Sequence, residues 1–128
     1  MNKLIIDAAN KSIFLMIISD GSIYNISHEN SKTNYEKLTI LINDFLNDYD
    51  LKISNISKLY VNRGPGSFAG IRNSIAVVKA IYVARKIDYY CFSFSDFDKL
   101  DANKYENIPN LCDKLRIKKN LIKPIYIS

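Results

Sequence analysis

The residues with the strongest chemical promise lie in Gly64-Pro65-Gly66-Ser67-Phe68-Ala69, between an apolar run and a helical pattern. This stretch formally matches the G-x-G-x-x-G/A turn. In that turn, N–H groups at a helix N-terminus hold a pyrophosphate. Two features weaken the match. Pro65 removes one N–H, and the ribose-binding acid that should end the next strand is displaced: Asp88 begins that strand and Asp96 lies beyond it. A structural role accounts for each residue. Gly64 and Gly66 allow turn dihedrals, Ser67 caps the helix, Gly70 permits close packing, and Arg72 is a solvated or partner-facing charge. Asp7 is the second candidate. An acid-bearing hairpin that holds phosphate and metal needs glycine and hydroxyl neighbours, and Ala8-Ala9-Asn10 has no glycine, so Asp7 is expected to cap a turn. Asp7 and Asp20 make no convincing carboxylate pair. The single histidine, His28, falls in a polar stretch. Cys91 and Cys112 lack metal or redox spacing and are expected to be free thiols. No Ser-His-Asp or Cys-His set can be assembled. The expectation is therefore a protein without catalytic residues, metal or cofactor.

The elements around these residues follow from periodicity. Lys3–Ala8, Ser12–Ile18 and Ser22–Ser27 read as three strands joined by short turns, hence an antiparallel meander. Thr33-Asn34-Tyr35-Glu36 reads as a capping box. The helix behind it carries Leu38, Leu41, Ile42, Phe45, Leu46 and Tyr49 at helical spacing. Lys58–Asn62 is a fourth strand, Ala69–Arg85 a long helix, Asp88–Phe94 a fifth strand, and Ser95–Leu100 a short capped turn. The order β-β-β-α-β-α-β, with right-handed crossovers, implies an α/β fold: a mixed five-stranded sheet with helices packed against it. This is the ribonuclease-H-like topology, half of an actin-like (ASKHA) pair.

The long helix is apolar around nearly its whole circumference from Ile75 to Ala84, with Lys79 the only charge. Such a helix needs cover on both sides. The sheet supplies one cover. The bulky residues should face it, which leaves Ala76, Ala80 and Ala84, spaced at i, i+4, i+8, as an outward small-residue stripe for a partner.

The chain has 128 residues, 48% hydrophobic, and a net charge of +5. This suits one lobe, residues 1–100, and a remainder, 101–128, that is a second-lobe remnant or tail. The remainder holds six basic residues and three acidic ones and shows few apolar positions before Ile122. It is expected to add little to the fold beyond its strand-like end. Its lysines lack interleaved aromatics and read as a solvated charge run rather than an RNA-binding module. Leu4-Ile5-Ile6 stops at Asp7, so no signal peptide is expected, and no apolar run is long enough to span a membrane. A cytoplasmic location follows as the expectation.

Leu4-Ile5-Ile6-Asp7, Glu36-Lys37-Leu38 and above all Val61-Asn62-Arg63-Gly64-Pro65-Gly66-Ser67-Phe68-Ala69-Gly70-Ile71-Arg72 resemble the TsaB (YeaZ) family. The resemblance covers roughly residues 3–100. The closing Lys123-Pro124-Ile125-Tyr126-Ile127 is also similar to the family's usual end, and the second half between them is shortened. Two positions depart from the family pattern. Asn34-Tyr35 stand where His-Ser or His-Ala often precedes the helix glutamate, and Ala69 stands where the family has threonine. The resemblance implies a non-catalytic scaffold subunit in the synthesis of N6-threonylcarbamoyladenosine at position 37 of tRNA. Such subunits pair with the TsaD transferase, or with themselves as a homodimer, through the helices of the first half. TsaE is a further partner, and tRNA is met only through the complex. The partner surface implied here is Gly64, Pro65, Gly66, Ser67, Phe68, Gly70, Arg72, Ala76, Ala80 and Ala84. The alternative is an actin-like nucleotide-binding enzyme half or a peptidase-like protein, which would need a phosphate loop or a catalytic pair.

Overall fold

The computed structural model of the chain describes residues 1–97 and 104–127. Its centre is a five-stranded sheet built from β1 (Asn2–Asp7), β2 (Ser12–Ser19), β3 (Ser22–Glu29), β4 (Ile56–Asn62) and β6 (Asp88–Phe92), in the order β3-β2-β1-β4-β6. The β1–β2 and β2–β3 pairs are antiparallel, and β1–β4 and β4–β6 are parallel. This is the mixed α/β, ribonuclease-H-like sheet expected from the element order.

Strands β1 and β4 are apolar on both sides because both sheet faces are covered. On one face, Leu4, Ile6, Leu15, Ile17, Leu59 and Val61 meet helices α2 (Leu38–Asn47) and α3 (Phe68–Arg85). Their neighbours Ile5, Met16, Tyr60 and Phe92 point the other way, as the two-residue strand period requires. There they are covered by Phe97 and by α4 (Ile108–Lys114), through Ile108, Leu111 and Cys112. The expectation that residues 101–128 add little to the fold is thus corrected: this segment closes the second face. Asp98–Leu100, the end of the expected capped turn, lie outside the described residues. Phe94–Asp96 form a short 3-10 turn capped by Ser93.

The first helix also differs from its sequence pattern. Ser31, not Thr33, is the cap: its Oγ accepts from the Asn34 N–H at 3.3 Å, and α1 spans only Lys32–Tyr35. Asn34 Nδ2 donates back to the Glu29 carbonyl at 2.8 Å, which ties this turn to the end of β3. Glu36 is therefore a C-cap rather than half of a capping box, and α2 starts afresh at Leu38.

Helix α3 is oriented as side-chain size predicts. Ile71, Ile75 and Val78 are buried, while Arg72, Ala76, Ala80, Val83 and Ala84 are exposed. Ser67 Oγ caps it by accepting from the Gly70 N–H at 3.2 Å. Before it lies the two-residue strand β5 (Gly66–Ser67), which pairs in parallel with β7 (Tyr126–Ile127).

Candidate functional site

The Gly64–Gly70 turn is threaded between the first hairpin and the chain's end. Asn62 Oδ1 accepts from the Gly64 N–H at 2.8 Å. Gly64 has φ +108°, and a Cβ there would overlap the Ile125 carbonyl oxygen. A Cβ at Gly66 would strike the Ala9 carbonyl, and one at Gly70 the Ala8 carbonyl. The Ser67 N–H donates to Ala9 O at 2.9 Å. The N–H groups of Gly64, Ser67 and Gly70 are thus committed within the chain. A phosphate needs such donors unpaired.

Asp7 caps its turn. Its buried carboxylate accepts from the Ala9 N–H at 3.0 Å and the Asn10 side chain at 3.4 Å. A third donor is the Tyr105 hydroxyl at 2.6 Å, which had no signal in sequence spacing. Phe14 and Phe94 flank the Tyr105 ring, at 4.2 and 5.4 Å between centroids. Burial, followed by the charge of Asp7, raises the Tyr105 hydroxyl pKa well above its ordinary value. Burial likewise pushes the Cys91 thiol up to about 11 and the Cys112 thiol up to about 12. Neither thiol is a nucleophile near neutral pH. Among the described residues, no group of three or more His, Cys, Asp or Glu side chains is placed to hold a metal ion.

The ten residues assigned to a partner surface separate into two sets. Gly64 and Gly70 are buried, Gly66 and Ser67 are half-buried in the turn, and all four act inside the chain. Assigning these glycines to the surface is corrected by that packing. Pro65, Phe68, Arg72, Ala76, Ala80 and Ala84 are exposed. Arg72 lies over the Phe68 ring at 5.9 Å. Tyr35, Glu36 and Asn73, which the sequence did not assign to the partner surface, join Phe68, Arg72 and Ala76 around a shallow depression of about 470 Å³. Exposed small residues of α3 thus lie beside Phe68 and Arg72 on one face of the helix. None of the described helices is long and apolar enough to cross a membrane.

The chain is similar to several known proteins. A family model described as "TsaD: tRNA N6-adenosine threonylcarbamoyltransferase" matches residues 26–93. The Bacillus subtilis (strain 168) protein named tRNA threonylcarbamoyladenosine biosynthesis protein TsaB is 26% identical over 104 residues, which are 80% of this chain and 44% of that protein. The chain therefore spans less than half the length of this curated relative. Two solved structures are similar in fold, each with a TM-score of 0.66 and 21% identity over 72% of this chain and 43% of the other. One is YeaZ from Pseudomonas aeruginosa; the other, from the same organism, is described as an uncharacterized protein with similarity to peptidase YEAZ. The family match spans more than half of the chain, and the chain belongs to that threonylcarbamoyltransferase family, with a TsaB protein and YeaZ among its relatives.

Proposed function

We propose that this chain is a non-catalytic scaffold subunit in the synthesis of N6-threonylcarbamoyladenosine on tRNA, and that it pairs with a TsaD-type transferase. The observation that carries the pairing is the uncovered outer face of α3. Ala76, Ala80 and Ala84 stand exposed on a helix whose apolar residues run nearly all round. Small residues let a second helix approach closely, and Phe68 and Arg72 supply larger contacts at one end. The same face serves a homodimer when the transferase is absent. TsaE is a third partner, and tRNA is the substrate of the assembled complex. Residues 1–100 form the actin-like lobe, and 101–128 are a second-lobe remnant folded back on it.

The scaffold role is supported by the committed N–H groups of Gly64, Ser67 and Gly70 and by the three donors that Asp7 already holds. Calorimetric titration with ATP and Mg²⁺ should show no binding tighter than about 1 mM, roughly −4 kcal/mol. A micromolar site would overturn the non-catalytic reading. Co-expression with TsaD from the same source should yield a complex that survives size-exclusion chromatography. Persistent separate elution of the two proteins would overturn the pairing.

A further inference from the structure

From Lys114 to Ser128 the chain carries five cations and no acid. By composition this is a solvated charge run, but its geometry is not that of a loose tail. Asn120 fastens it to the outer edge of β6 in the manner of a strand residue. The Asn120 N–H donates to the Tyr89 carbonyl at 2.7 Å, its Oδ1 accepts from the Tyr89 N–H at 2.9 Å, and its Nδ2 donates to Asp88 at 2.9 Å. Further along, the Ile125 N–H donates to the Arg63 carbonyl at 2.7 Å. Arg116 and Asn120 adopt left-handed backbone, with φ of 54° and 60°, and place a fixed bend on each side of Lys118.

Two of the neighbouring carboxylates are already paired. Asp88 pairs with Lys119 at 3.4 Å and Asp96 with Arg63 at 2.8 Å. Lys114, Arg116, Lys118 and Lys123 are exposed and make no ion pair among the described residues. Lys118 and Lys123 border a concavity of about 400 Å³ with Leu115, Ile117, Leu121 and the Arg63-paired Asp96. The exposed cations thus sit on an anchored scaffold, four of them beside a single acid, Asp113, that makes no ion pair among the described residues.

We propose that this arm binds the phosphate backbone of a folded RNA stem. The choice of RNA as the polyanion rests on the tRNA-modification reading above. Stacking aromatics are not needed for this contact. A-form duplex is recognised largely through shape, phosphates and 2′-hydroxyls, and cation–phosphate contacts supply affinity without base readout.

The test is fluorescence anisotropy of the full chain with a labelled tRNA transcript, at salt from about 50 to 200 mM. Four phosphate contacts predict a log–log salt slope of about −3 to −4. Combining Lys114→Gln, Arg116→Gln, Lys118→Gln and Lys123→Gln should weaken binding at least about tenfold at low salt and remove most of that slope. Neutralising Lys32, Lys37 and Lys79 on the helical face should leave both unchanged. If circular dichroism shows the fourfold variant unfolded, Lys118→Gln and Lys123→Gln singly carry the test, each lowering the slope by about 0.9. Wild type that fails to bind, or variants that bind like wild type, would overturn the proposal. So would equal binding to polyglutamate that RNA cannot displace, which would assign the arm to an acidic protein. The assay uses free RNA and contains no transferase, so a failure of TsaD pairing leaves its outcome untouched.

Discussion

At the scale of single residues, the buried Asp7 carboxylate links the beginning of the chain to its end. The Tyr105 hydroxyl is its shortest donor, and the ring behind it packs between Phe14 and Phe94. Tyr105→Phe keeps the ring and removes only the donor. It should destabilise the fold by about 1.5–3 kcal/mol, the range for a hydrogen bond to a charged group, as read by urea unfolding. The thiols give a pH signature. Folded pKa values of about 11 for Cys91 and about 12 for Cys112 lie above the ordinary value of 9.0. A raised folded pKa means that the folded state keeps its proton longer than the unfolded state. This contribution is complete below pH 9 and declines as pH rises toward 11–12. The melting temperature should fall across that window, and Cys91→Ser combined with Cys112→Ser should flatten the part of the fall due to the thiols. At pH 8 both thiols should resist a thiol reagent until the protein is unfolded; rapid stoichiometric labelling of the native chain would contradict their burial.

At the scale of elements, helix ends show both what could be read and what could not. The Gly-Pro-Gly turn, the Ser67 cap, the meander and the bulky-inward orientation of α3 all follow from local pattern. The break at Glu36–Lys37 does not, because Ser31 wins the cap when Asn34 reaches across to the Glu29 carbonyl, a tertiary contact. The end of α3 at Arg85 was legible, but the left-handed residues beyond α2 and α3 were unmarked. Asp50 and Lys86 take left-handed backbone just beyond these helices, where glycine is the usual residue. Lys86→Gly should therefore stabilise the protein by about 1 kcal/mol, measured by thermal melting, since side chains in that conformation cost about 1–2 kcal/mol. Loss of stability would show that the Lys86 side chain makes a compensating contact.

At the scale of the whole molecule, the part least legible in the sequence was the second cover of the sheet. Only a few apolar groups, among them Phe97, Ile108 and Leu111, supply it, and the spacing of residues 101–122 gives little hint of a helix. The hint lay elsewhere, in Ile5, Met16, Tyr60 and Phe92, which need a cover because they alternate with core residues on strands buried on both faces. A chain ending at residue 100 should consequently bind a hydrophobic dye and lose its cooperative melt, because that face would be open to water. A truncated chain that melts like the full one would show the arm to be dispensable.

The outer face of α3 is the surface proposed to meet the partner. Ala80→Arg places a long charged side chain in the middle of the exposed stripe, away from the Ile71, Ile75 and Val78 core. In the free chain it should cost little, because the position faces solvent. In a helix–helix contact it would impose steric overlap and an unpaired buried charge. The decisive measurement is size-exclusion chromatography of wild type and Ala80→Arg, each with and without TsaD, alongside circular dichroism melts. The variant should melt like wild type yet elute as a monomer and fail to join the transferase. A folded variant that still pairs would contradict the account and place the partner surface elsewhere on the molecule.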